Sequence, residues 1–196
     1  MIPAGTPPGA TPFVALVLVG IALSIAERWY SLANESRMMR EGGVEIAPRV
    51  FRLMVPVYVL VFPAALAEHL LAPRAASPMM IATMAGIFLV SKGLKLWVIL
   101  HLRKGWTMKV ILPRHLRVVT TGPYRFMRHP NYIAVMGEIL ALPLAGGAWI
   151  TAAAAGILFT LILVVRVRTE EEALLARPEY AAAMGGKRRF VPGRRG

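Results

Sequence analysis

Two short stretches hold most of the side chains able to do polar chemistry at a fixed geometry. They are Thr121-Gly-Pro-Tyr-Arg-Phe-Met-Arg-His-Pro-Asn-Tyr132 and, about forty residues on, Arg166-Val-Arg-Thr-Glu-Glu-Glu-Ala-Leu-Leu175. In the first, Pro130 has no backbone N–H and biases His129 away from helical geometry. Pro130 therefore opens a helix, with His129 held extended just outside. N–H groups at that helix start, with Arg128 alongside, suit an anionic group. The competing reading is a plain helix start whose basic residues meet lipid headgroups. Gly122, Pro123 and Tyr124 add backbone control that a simple charge patch does not need. In the second stretch, Arg166 and Glu170 share a helix face, as do Arg168 and Glu172. They form either a salt-bridged helix extension of little energetic weight or a set of carboxylates for ribose hydroxyls or a cationic ligand.

Other chemistry is sparse. The chain has no Cys, which excludes disulfides, thiolate nucleophiles and Cys-ligated metals. Four scattered His residues (His69, His101, His115, His129) and no Asp argue against a dedicated metal site. Glu27, Glu68 and Glu138 fall within or at the ends of apolar runs, where a carboxylate is costly and a functional candidate by default. Glu138 lies seven residues after Asn131, on the same helix face and about 10 Å deeper by helical rise. It reads as a general base or as the partner of Lys92 or Lys95. His69 and His101 sit near run ends and read as interfacial.

The elements that must position these groups are membrane helices. Of the 196 residues, 57% are hydrophobic, and the mean hydropathy is +0.58. A spanning helix needs about 20 mostly apolar residues. Five runs qualify: residues 12–30, 51–71, 79–100, 132–148 and 149–165. The last two form a hairpin turning at Pro143-Leu-Ala-Gly-Gly-Ala148, with Trp149 at an interface. The fold class expected is all-α: one polytopic membrane domain over residues 1–196, with about five transmembrane helices and a cytoplasmic C-terminal cofactor-binding segment. Residues 12–100 carry three spans and residues 101–196 the catalytic half. The uncharged, Pro/Gly-rich start lacks the basic beginning of a signal peptide, so the first run is expected to be retained.

Net charge is +13. Its placement in loops between apolar runs and in the tail points to a membrane surface rather than nucleic acid. The loop at residues 101–130 carries seven Lys or Arg, whereas the hairpin turn carries none. By the positive-inside rule the N-terminus faces out, and both motifs face the cytoplasm, in a bacterial inner membrane.

The pattern Gly122-Pro-Tyr-Arg-x-x-Arg128-His-Pro-x-Tyr132, an apolar hairpin, then Arg166-x-x-x-Glu170-Glu171-x-x-Leu174 resembles the isoprenylcysteine carboxyl methyltransferase family. It is similar, more loosely, to the phospholipid N-methyltransferases. The match covers about residues 104–192. It implies an integral membrane O-methyltransferase using S-adenosylmethionine, releasing S-adenosylhomocysteine, in a pocket roofed by the C-terminal segment. By this resemblance His129, Pro130, Asn131, Tyr132, Glu170 and Glu171 hold the cofactor, and Tyr124 and Gly122 shape its wall. Arg128 and Arg166 would lie at the junction with a lipophilic or prenylated acceptor arriving laterally from the bilayer. Ala134 stands where the family commonly has Gly. With Trp106-Thr-Met-Lys-Val-Ile111, Glu138 and Leu142-Pro143-Leu144, this is more similar to a bacterial subgroup associated with type III polyketide synthases. That resemblance implies an alkylresorcinol or alkylpyrone acceptor rather than a prenylated-protein carboxylate.

Because a sulfonium-bound methyl is already activated, the protein's task would be positioning and water exclusion. A carboxylate acceptor needs an Arg to orient it. A phenol or enol needs a base, Glu138 or His129. Two rival readings remain at the level of sequence. One is a sterol-reductase-like NADPH enzyme, which shares a His-Pro-x-Tyr-like segment. The other is a non-catalytic membrane protein that binds lipid or a partner through its basic face.

Overall fold

The computed structural model describes residues 10–72, 74 and 77–193, and the Pro/Gly-rich start over residues 1–9 lies outside them. The long apolar runs form helices α1 (Ala10–Arg40), α2 (Pro48–Leu71), α3 (Pro78–Leu102), α4 (Pro130–Ala145) and α5 (Trp149–Leu175). A seven-residue helix, α6 (Pro178–Met184), follows. Two three-residue strands, β1 (Val44–Ile46) and β2 (Val110–Leu112), pair antiparallel with Glu45 opposite Ile111. This ladder ties the α1–α2 connection to the long segment between α3 and α4, on the side of the bundle where α5 ends.

Four of these helices are long and apolar enough to cross a membrane: α1, α2, α3 and α5. The fourth expected span is shorter than its hydropathy suggested. α4 has 16 residues, about 24 Å of rise. Pro130 starts it, and Gly146 and Gly147 (φ +70°) end it behind Pro143. No residue of α4 is exposed: it is the central helix, wrapped by the others. A helix enclosed by protein need not match the bilayer. Two other helices outrun their apolar stretches. α1 continues to Arg40 and α5 to Leu175, because polar residues end hydropathy without ending a helix.

The core gathers Phe13, Val17, Phe62, Phe88, Ile139, Leu142 and Phe159 around α4. Exposed Leu18, Leu89, Val90 and Leu161 form the outer, lipid-facing surface of the bundle. α3 and α4 pack closely at Gly137, where a Cβ would lie 2.1 Å from the Ser91 hydroxyl. Small residues at such contacts let membrane helices approach without help from a hydrophobic driving force.

Candidate active site

α5 overshoots the start of α4, so its last turns face the Arg128–Tyr132 motif across the hairpin. Beside them opens a cavity of about 1340 Å³. It is bounded by the end of α1, β2, residues 113–121, the start of α4, the end of α5, and α6. Of the residues singled out by sequence, Tyr124, Arg128, His129, Asn131, Tyr132, Arg166 and Glu170 line it. Gly122, Pro130, Glu171 and Glu138 do not.

The first three of these four stand behind the wall. Pro130 sits in the first turn of α4, with His129 at φ −124°, ψ 56° just before it. Gly122 has φ +58°, and a Cβ there would fall 2.3 Å from the His101 ring. Glycine is thus required twice over, for the backbone and for the ring that packs on it. Glu171 is a buried anchor. Its carboxylate takes His129 Nε2 at 2.9 Å, Arg128 at 3.1 Å, and the Arg189 guanidinium at 2.7 and 2.9 Å.

The amides just ahead of the helix are taken by the C-terminal segment. The N–H groups of Arg128 and His129 donate to the carbonyls of Arg188 and Arg189, at 3.0 and 2.9 Å. Gly193 N–H donates to Phe126 O, and Lys187 Nζ to Tyr124 O at 2.6 Å. The C-terminal segment therefore straps the first motif onto α5, with Glu171 as the rivet.

Glu170, one residue away on α5, faces the cavity instead. Arg166 and Glu170 do not form the direct pair expected from their spacing. The Tyr132 hydroxyl bridges them, accepting from Arg166 Nε at 2.8 Å and donating to Glu170 Oε2. Arg166 also donates to Met108 O and touches Met54 Sδ at 3.5 Å. It is 7% exposed, so this cation is fixed in place by three elements. Tyr124 and Tyr180 complete this wall. Burial, then the charge of Glu170, pushes both phenols well above the usual tyrosine range.

Glu138 lies elsewhere, about 9 Å below Tyr132 by helical rise. Its Oε2 receives Tyr58 at 2.6 Å, Lys95 at 2.7 Å and Lys92 at 3.1 Å. Both lysines also hold Glu27, at 2.9 and 3.0 Å. The carboxylate thus has the lysine partners that its spacing on α4 allowed. Its other oxygen, Oε1, is buried without a hydrogen-bond partner among the described residues. Glu68 is further off still, capping the start of α5 through Thr151 N–H at 2.8 Å.

Several wall residues lie outside the set that the sequence assigned to the site. Trp106 is buried, donates from its indole to Asn131 Oδ1 at 3.3 Å, and its carbonyl accepts from Asn34 at 2.9 Å. Tyr30 stacks beside it with ring centroids 6.2 Å apart. His101, read as interfacial, lines the cavity as well. Trp106 entered the sequence reading only through the Trp106–Ile111 stretch of the subgroup resemblance, which carries no signal that its ring turns inward.

A helical bundle with four membrane-length helices, and a cavity framed by both arms of one hairpin, defines a polytopic membrane protein with an intrabundle site. Over residues 81–176 the chain matches the isoprenylcysteine carboxyl methyltransferase (ICMT) family, a family of membrane methyltransferases. It is also similar to uncharacterized bacterial proteins. YpbQ of Bacillus subtilis is 29% identical over 162 residues, 83% of this chain and 96% of YpbQ. A Haemophilus influenzae protein is 29% identical over 165 residues, covering 80% and 93% of the two chains.

Proposed function

We propose that the protein transfers a methyl group from S-adenosylmethionine to an oxygen of a hydrophobic, lipid-like acceptor, at the cytoplasmic face of a bacterial inner membrane. The observation that carries this reading is the shared wall: Arg128, Asn131 and Tyr132 from one arm of the hairpin meet Arg166 and Glu170 from the other around one cavity. The donor set suits this cofactor, which combines a carboxylate, an ammonium, ribose hydroxyls and an adenine ring. Glu170 offers acceptor capacity to hydroxyls or ammonium, Arg128 and Arg166 offer cationic donors, and Tyr30 and Trp106 offer ring faces. When bound, S-adenosylmethionine supplies a methyl group already activated as a sulfonium.

What remains for the chain is orientation, water exclusion and, for some acceptors, proton removal. Arg166, immobilised by Tyr132 and Met108, is assigned to orient the acceptor oxygen. Glu171 keeps His129 and Arg128 in place from behind. For a hydroxyl acceptor the base candidates are Glu138, whose Oε1 has no hydrogen-bond partner among the described residues, and His129, which lines the cavity with Nε2 held by Glu171.

Thermal stability of the detergent-solubilised protein tests the cofactor assignment. S-adenosylhomocysteine should stabilise it and NADPH should not, and stabilisation by NADPH alone would overturn the reading. Labelled cofactor offered with farnesylcysteine, alkylresorcinol and alkylpyrone acceptors then tests the transfer. Glu138→Gln should slow methylation of a phenol at neutral pH, and an undiminished rate removes Glu138 as the base.

A further inference from the structure

Residues 81–176 carry the family match, so α1 lies wholly outside it. Its last turns nevertheless hold three buried polar side chains on one face: Ser31, Asn34 and Glu35, spaced i, i+3 and i+4. Two of them bond directly to the segment that follows α3. There the chain reverses sharply. Arg103, directly after α3, has φ +49° and ψ −122°, a backbone state that residues other than glycine rarely adopt. Such a conformation persists only where its surroundings hold it. Asn34 does so, donating from Nδ2 to the carbonyls of Arg103 at 3.4 Å and Trp106 at 2.9 Å. Arg37, three residues on, donates to Lys104 O.

Ser31 grips the same segment two residues further along. Its hydroxyl accepts from Met108 N–H at 2.7 Å and donates to Glu35 Oε1 at 2.6 Å. Arg28 donates to that same oxygen, also at 2.6 Å. A serine hydroxyl has one proton and can rotate it. While Glu35 takes the proton, the lone pairs are left for Met108. Without Glu35 the proton can turn to a carbonyl one turn back in α1. The two grips lead to different parts of the cavity wall. Trp106 donates its indole N–H to Asn131 Oδ1 at 3.3 Å, and Met108 O accepts from Arg166. Hydrogen bonds therefore run without a break from Glu35 through Ser31 and Met108 to the fixed cation.

We propose that this face of α1 is a working part of the site. Asn34 is a positioning residue for Asn131, acting through Trp106. Ser31, with its proton fixed by Glu35, is a positioning residue for Arg166, acting through Met108. Resting on the methyl-transfer reading above, the first serves cofactor binding and the second serves the acceptor. The two effects separate between residues three apart on one helix, whereas a purely structural role would move both together.

The test compares variants of the full chain in detergent. Asn34→Leu keeps the size and removes both donors, and it should weaken S-adenosylhomocysteine about tenfold in calorimetry. Ser31→Ala should leave that affinity within about twofold and lower kcat for methylation of an alkylresorcinol about tenfold. Glu35→Ala should repeat the Ser31→Ala loss. Glu35→Gln, which can still accept from Ser31 and Arg28, should restore most of it. Amide hydrogen exchange over residues 104–112 follows the grip with neither cofactor nor acceptor present. It should be about tenfold faster in Asn34→Leu and in Ser31→Ala, with α5 unchanged. Affinity and kcat falling together in both variants, or exchange at the wild-type rate, would overturn the proposal. A wild type that neither binds S-adenosylhomocysteine nor methylates would instead sink the methyl-transfer reading, and the exchange rates then decide by themselves whether α1 holds the segment.

Discussion

Glu171 offers the sharpest test of how the site is held. Its side chain is 5% exposed, Arg128 beside it 1% and His129 3%. Glu171→Gln keeps the shape and one acceptor oxygen but removes the negative charge that faces Arg128, His129 and Arg189. Removing one partner of a buried ion pair costs about 3–5 kcal/mol. Because glutamine can still accept from His129, the lower end, about 3 kcal/mol, is expected. Arg189 contributes little of this: it is 44% exposed on the side chain, so Arg189→Ala should cost under about 1 kcal/mol. The loss should also unfasten the strap, since Arg188 and Arg189 carbonyls hold the motif only while the tail lies across it. Thermal denaturation in detergent reads the stability. Limited trypsin digestion at Lys187–Arg189, followed by intact mass, reads the strap. If Glu171→Gln matches wild type in both, or if Arg189→Ala proves the more damaging, the anchor role is wrong.

Glu170→Gln, by contrast, should leave the unliganded melting temperature nearly unchanged while weakening S-adenosylhomocysteine about tenfold, measured by calorimetry. Gly122→Ala should cost about 1–2 kcal/mol from the left-handed backbone alone, plus the clash with His101. Adding His101→Ala should recover only the clash, which a double-mutant cycle of melting temperatures separates. The raised phenols of Tyr124 and Tyr180 give a pH dependence. Their neutral forms are favoured when folded, so their contribution is complete below about pH 10 and declines as pH rises above it. Tyr180→Phe should flatten that alkaline loss in a melting-temperature profile against pH.

The sequence is explicit where one residue has few options. Pro130 can hardly sit anywhere but the first turn of a helix, and the hairpin brings Tyr132 within reach of Arg166 and Glu170. Lys92 and Lys95 in an apolar run need carboxylates, and Glu138 and Glu27 are close to the only ones at that depth. Adjacent residues are harder to separate. Glu170 faces the cavity and Glu171 the strap because they point about 100° apart on one helix. Which does which depends on how α5 is rotated against α4, and that is decided by packing at Phe159, Leu163 and Val167 rather than by either motif. The reach of α1 and α5 is hidden for another reason: hydropathy reports what lipid tolerates, not where backbone hydrogen bonding stops. Three-residue strands such as β1 and β2 are too short to leave a period, so the inward turn of Trp106 beside them is equally silent.

The enclosure of α4 bears on how the protein tolerates different bilayers. α5 runs 27 residues and α4 only 16, a difference of about 16 Å in rise. A change in bilayer thickness acts on helices that touch lipid, which answer by tilting or by drawing lipid around them. α4 has no exposed residue, and it carries Asn131, Tyr132 and Glu138 on one helix. The outer helices can therefore absorb hydrophobic mismatch while the depth of these three groups relative to one another stays fixed. The spacing of these three groups is thereby buffered against changes in bilayer thickness.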